Sequence, residues 1–130
     1  KSLSLRKGEI LKEILIPPPS GKTVYLKWRL RDSLEFPIVS LALRMEKGKD
    51  GRVQGGRIIF SAVGSGPVET TEAEKMVKGT MLDDEIIEKV STQVTKEVSP
   101  MRTSLASPAY KRKMAGILLK EALIDRREGR

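Results

Sequence analysis

The spacing of hydrophobic residues changes once along this chain. Up to about residue 63 they alternate with polar residues, and from about residue 71 onward they recur at three- and four-residue steps. A two-residue period suits a strand with one buried face, and a 3.6-residue period suits an amphipathic helix. The junction is Arg57-Ile-Ile-Phe-Ser-Ala-Val-Gly-Ser-Gly-Pro-Val-Glu-Thr-Thr-Glu-Ala-Glu74, which passes from an apolar strand through a Gly-Ser-Gly-Pro turn into a helix start.

In the first half, Thr23–Arg31 alternates, with Val24, Leu26, Trp28 and Leu30 on one side and Tyr25, Lys27, Arg29 and Arg31 on the other. This predicts a half-buried strand with a cationic face, turned either to solvent or to an anion. Val39, Leu41, Leu43 and Met45 form the apolar row of a second strand. Gly48-Lys-Asp-Gly51 predicts a hairpin, because Asp-Gly supplies the positive φ a tight turn needs. Val53–Val63 returns as the partner strand, and Gly55-Gly56 within it predicts a bulge or a close backbone approach. Ahead of these, Glu9–Ile16 is an apolar-rich run closed by Pro17-Pro-Pro19, which favours an extended segment, and 17–22 reads as a structure-breaking linker.

In the second half, Thr70 or Thr71 predicts the N-cap of a short helix that ends at Gly79. Asp83 caps a second helix, with Ile86, Val90, Val94 and Val98 as its stripe, Ile87 widening it, and Ser99-Pro100 as its stop. Ser107 at the N-cap and Pro108 at N1 start the last helix, which runs to about Arg127 with Tyr110, Met114, Ile117, Leu118 and Ala122 facing inward. The expected architecture is α+β: a small antiparallel sheet of three to four strands with three helices packed on one face. Residues 1–22 are expected to be a lead-in segment and Pro-rich linker, and residues 23–130 a single domain.

Composition narrows the chemistry. The 130 residues contain no cysteine and no histidine, which removes thiolate metal sites, disulfides, the commonest general base and the commonest metal ligand. Ser99, Ser104 and Ser107 have no histidine to activate them, so a hydrolase triad is excluded. Net charge is +8, which suits an anionic ligand, nucleic acid or an acidic partner. The aromatics are few (Tyr25, Trp28, Phe36, Phe60 and Tyr110), and the alternation puts Trp28 on the opposite face from Lys27 and Arg29. That disfavours a stacking platform for nucleic acid. No apolar run approaches the ~20 residues of a membrane span, and a cytoplasmic location without membrane contact is expected.

Gly64-Ser-Gly66 lacks the Lys-Ser/Thr pair of a phosphate loop, and Pro67 lacks an N–H, so a structural turn is expected. Asp83-Asp-Glu85 serves a helix start rather than a metal. Lys111-Arg-Lys113 and Arg126-Arg127 read as solvated helix faces. Neither a catalytic nor a metal-binding residue is assigned.

Four stretches, in order, resemble one family. They are Gly8–Pro19; Tyr25-Leu-Lys27 with Arg31 and Phe36-Pro-Ile-Val-Ser-Leu-Ala42; Ala62-Val-Gly-Ser-Gly-Pro-Val68 with Thr71-Glu-Ala-Glu74 and Gly79; and Ser107-Pro-Ala-Tyr-Lys-Arg-Lys-Met-Ala115. Together they are similar to the C-terminal domain of the FAD-binding medium subunit of molybdenum hydroxylases, the carbon monoxide dehydrogenase and xanthine dehydrogenase group. Ser61 stands where the family often has glycine, and Pro100-Met-Arg-Thr-Ser104 lacks its usual aspartate. The resemblance implies an oxidoreductase component that completes a flavin site and subunit assembly. The FAD would be held mainly by upstream domains, so this chain alone would not bind it tightly. Iron–sulfur clusters and molybdopterin would reside in partner subunits. It also implies Lys27, and less strongly Arg31, as cofactor-binding residues. The alternative is a non-catalytic basic α+β module that binds nucleic acid or an acidic protein through Tyr25, Lys27, Trp28, Arg29 and Arg31.

Overall fold

The computed structural model describes residues 4–18, 21–31 and 35–129. The first three lead-in residues, and Pro19 and Ser20 of the linker, lie outside the described residues. Four strands, β1 (Lys22–Trp28), β2 (Val39–Lys47), β3 (Val53–Ser61) and β4 (Val68–Glu69), precede three helices, α1 (Thr71–Val77), α2 (Asp84–Glu97) and α3 (Pro108–Glu128). The strands form one antiparallel sheet in sequence order. This is the expected α+β architecture.

Register explains which side chains are buried. Leu26 lies opposite Leu41 and Leu41 opposite Phe60; Val24 lies opposite Leu43 and Leu43 opposite Ile58. These rows share the face on which α1 and α3 pack, with α2 joining the two helices. Leu41, Leu43 and Phe60 are fully buried there. The hairpin is built as its glycines predict: Gly51 has φ +80°, and its N–H donates to Gly48 O at 3.0 Å. Both expectations for Gly55-Gly56 hold. Gln54 is the extra residue where the register slips beside Glu46/Lys47, and a Cβ on Gly56 would lie 2.5 Å from the Arg44 carbonyl oxygen.

The first strand is shorter than its alternation suggests. It ends at Trp28, opposite Val39, the first residue of β2, and Ile38 N donates to Trp28 O at 2.9 Å. Pro37 has no N–H to extend the ladder, so the chain leaves the sheet after Trp28. The cationic strand face therefore keeps Tyr25 and Lys27 but not Arg29 and Arg31. Glu9–Ile16 is in neither helix nor strand, and Ile10, Leu11, Ile14, Leu15 and Ile16 are between 66% and 86% exposed.

The helices carry three corrections. In α2 the buried positions are Ile87, Val90, Ser91 and Val94, and Ile86 lies at the margin of the stripe. In α3, Met114, Leu118 and Ala122 face inward as expected, but Tyr110 and Ile117 are exposed. Lys111 and Arg126, read as solvated, are 5% and 7% exposed. Their spacing from Met114, Ala115, Leu118 and Ala122 places them on the inner stripe, and that geometry outweighs residue type.

The caps are mostly local. Asp83 accepts from Ile86 N and Ser107 Oγ from Tyr110 N. α1 differs. Thr70 Oγ1 donates to Ile58 O, and the Glu97 carboxylate of α2 instead accepts from Glu72 N and Ala73 N. A carboxylate at that position also suits the helix dipole.

Candidate functional site

The face of the sheet away from the helices carries a second row, one residue out of phase with the core. Lys27 lies opposite Ser40, and Ser40 opposite Ser61. Beside Tyr25 in the next row lies Ala42, paired in turn with Ile59. Ala42 and Ser61 are half-buried and Ser40 is 4% exposed, so short side chains form a covered floor beside a half-buried lysine. Among the described residues the Lys27 side chain makes no ion pair or hydrogen bond. A groove of about 330 Å³ opens beside it, lined by Lys27, Glu35, Phe36 and Pro37. Phe36 is 90% exposed and offers a free aromatic surface at the rim.

Arg31 stands at this rim but is already engaged. Its backbone N–H donates to Glu35 Oε2 at 3.2 Å, and its Nη2 donates to Glu35 Oε1 at 3.3 Å. The structure thus brings Lys27 and Phe36 to one groove and turns Arg31 toward Glu35.

The row has a second margin, the turn after β3. Ala62 adopts φ +65°, a left-handed conformation in which Cβ crowds the backbone. The Lys111 ammonium donates to the Ala62 carbonyl oxygen at 3.1 Å. The Gly64-Ser-Gly66 segment turns the chain back toward β4, and a Cβ on Gly64 would lie 2.9 Å from Val68 Cγ2. On the first margin, Trp28 Nε1 donates to Tyr110 Oη at 3.0 Å. That bond ties Trp28 to α3, across the sheet from Lys27. Residue-by-residue reading missed Tyr110 and Lys111. The available signal was their place in the first turn after the Ser107 cap, with Lys111 three and four residues before Met114 and Ala115.

Acidic residues do not assemble into a site. No group of three His, Cys, Asp or Glu side chains capable of holding a metal occurs among the described residues. In the Asp83-Asp-Glu85 run, Asp83 caps α2, Asp84 pairs with Arg127 at 2.5 Å and Glu85 pairs with Lys89. The hydrogen bond from Arg127 and its charge hold the Asp84 carboxyl below the usual carboxylate range. A larger groove, about 570 Å³, lies at the opposite end of the sheet among Lys22, Met45, Lys47, Gln54 and Arg126. There Lys47 Nζ donates to Arg126 O at 2.7 Å, so it serves the C-terminal end of α3. Burial, then the charges of Arg126 and Lys22, lower the Lys47 pKa. Among the described residues no helix is long and apolar enough to cross a membrane.

Residues 25–125 match the family model of the CO dehydrogenase flavoprotein C-terminal domain, and the chain belongs to that family. The glyceraldehyde dehydrogenase medium chain of Sulfolobus acidocaldarius is 28% identical over 117 residues, covering 89% of this chain and 41% of the relative. Two solved structures share the fold. Quinoline 2-oxidoreductase from Pseudomonas putida 86 superposes with a TM-score of 0.79 at 18% identity, over 88% of this chain and 39% of the other. Reconstituted CO dehydrogenase from Oligotropha carboxidovorans gives 0.76 at 23%, over 85% and 38%. The chain thus spans about two fifths of the proteins it matches.

Proposed function

We propose that this chain is the C-terminal domain of an FAD-binding subunit of a molybdopterin-dependent oxidoreductase. In this reading it covers one side of a flavin held mainly by preceding domains. Residues 23–130 form the domain, and residues up to 22 lead into it. The partners are an iron–sulfur subunit and a molybdopterin subunit in a cytoplasmic complex. Bound FAD would accept the electrons that arrive through the iron–sulfur clusters. Membership of the flavoprotein family carries this reading, and the Lys27 face agrees with it.

The residues at that face fit a flavin. Lys27 offers an ammonium that has no counter-ion among the described residues, half-buried where water screens it less than at an open surface. Such a charge stabilises negative charge developing on a reduced ring, and a fixed cation needs no reorganisation when electrons arrive. The groove beside Lys27 has room for part of a planar group, and the exposed Phe36 ring can lie against one. Arg31 plays a lesser part, since its guanidinium would have to leave Glu35 to reach the ring. The alternative of a nucleic-acid module loses its stacking platform, because Trp28 is hydrogen-bonded to Tyr110 and Arg29 and Arg31 lie outside the strand.

The test is to purify the full-length subunit and compare the wild type with Lys27→Met and Lys27→Arg. The expected result is a flavin absorption spectrum in the wild type, a lower flavin midpoint potential in K27M, and recovery of most of the shift in K27R. A colourless full-length subunit would overturn the reading. A coloured subunit whose potential ignores Lys27 would remove this lysine from the site while leaving the flavin assignment standing.

A further inference from the structure

We propose that the first turn of α3 is a positioning clamp for the flavin-facing end of the sheet. Tyr110 holds the β1 margin, and Lys111 holds the left-handed turn at Ala62. The clamp rests on the flavin reading for its functional meaning, though not for its geometry.

Lys111 occupies an inner-stripe position of α3, 5% exposed, where an apolar side chain would pack at no desolvation cost. What the lysine adds is a hydrogen bond from its ammonium to Ala62 O, 49 residues away in the chain. Ala62 needs such support, because a non-glycine residue at φ +65° is disfavoured unless its surroundings hold it. The second such residue among those described, Leu82 at φ +59°, is served in the same way: Arg127 Nη1 donates to Leu82 O at 3.5 Å. In both cases a cation from α3 holds the carbonyl of a left-handed residue.

The turn at Ala62 sets the path of the chain beyond Ser61. Ser61 belongs to the outer row with Lys27 and Ser40, while Val63, two residues on, is fully buried. The chain therefore dives from the candidate cofactor face into the core within two residues. Releasing Ala62 would let residues 62–66 shift over the Ser61 end of that face. At the other end, the adjacent residue Tyr110 accepts from Trp28 Nε1, and Trp28 immediately follows Lys27. Trp28 O also accepts from Ile38 N, closing the loop that carries Glu35, Phe36 and Pro37. One helical turn, itself fixed by the Ser107 cap, thus sets the separation of the two margins. Tyr110 and Lys111 are positioning residues; neither is placed against the cofactor itself.

The experiment measures hydrogen–deuterium exchange and flavin potential in the subunit that carries this chain, using Lys111→Met, Lys111→Arg and Tyr110→Phe. In K111M, exchange across residues 61–66 should rise about tenfold, the scale set by losing a hydrogen bond from a charged donor. Exchange in β2 should stay unchanged, and the flavin potential should shift. K111R retains a donor and should restore both. In Y110F, the amide of Ile38 should exchange faster while residues 61–66 remain as in the wild type. Unchanged exchange at 61–66 in K111M overturns the clamp, as does a uniform rise through β2 and α2, which would make Lys111 a residue of global stability only. If K111M does not fold, Lys111→Gln, whose shorter amide stops short of Ala62, takes its place under the same criteria. Exchange needs no bound flavin, so a colourless subunit would sink the functional reading while the exchange pattern still decides the clamp.

Discussion

Leu26 and Lys27 are consecutive residues of β1, yet they head rows of opposite character. The inner row runs Leu26, Leu41, Phe60 and is sealed under the helices; the outer row runs Lys27, Ser40, Ser61 on the opposite face of the sheet. The pleat of a strand makes this separation possible, since successive side chains point to opposite faces. Stability and candidate chemistry therefore lie one residue apart without sharing atoms. A row of small hydroxyls beside an ammonium with no counter-ion among the described residues adds little to folding, and a row of large apolar side chains offers nothing to a cofactor.

The comparison breaks hardest at the inner row. Phe60→Ala should destabilise the domain by about 3–5 kcal/mol, because truncating a fully buried aromatic leaves a cavity as well as losing transfer energy. Denaturant unfolding checks this, and a loss below about 1 kcal/mol would mean that the helices do not seal that face. Gly56→Ala tests the rim between the faces. Its new Cβ meets backbone, which cannot swing aside, so a cost of about 1–3 kcal/mol is expected from the same unfolding curves.

A smaller effect concerns the outside of the helical layer, at Asp84. Its pKa is depressed by Arg127, so the pair contributes stability above the ordinary carboxylate range and loses it as pH falls through the depressed value. Asp84 is exposed, so the contribution is modest and screened by salt. The Tm gap between wild type and Asp84→Asn should be present at neutral pH and vanish on strong acidification or in high salt. A gap that persists in acid would assign the effect to helix capping rather than to the ion pair. The smallest change in stability is expected from the outer row: Lys27→Met should leave unfolding within about 0.5 kcal/mol of wild type while the flavin potential moves. A large loss of stability in K27M would erase the distinction between the two rows.

Most of the architecture could be read from residue order because it depends on local rules. Alternation predicted β2 and β3, Asp-Gly predicted the hairpin, and Asp83 and Ser107 marked helix starts, since each signal is satisfied within a few residues of itself. The place of Lys27 on the outer face of β1 was legible from the alternation of the strand. Arg29 and Arg31 were misplaced because a strand ends where its partner ends, and the partner's start at Val39 is not visible from residues 23–31. Lys111 and Arg126 were assigned to solvent because residue type was weighed above their spacing. Burial of a cation depends on a distant acceptor, and Ala62 O is 49 residues from Lys111.

The sequence by itself determined the fold class, the caps of α2 and α3, the hairpin and the family, because propensity, period and motif are properties of short stretches. Only the tertiary structure decided which carboxylate caps α1, where β1 stops, what Arg31 pairs with, and that Tyr110 and Lys111 brace the two margins of the Lys27 face. Each of those outcomes joins groups that no short stretch brings together, and such a contact exists only once the sheet and helices have packed.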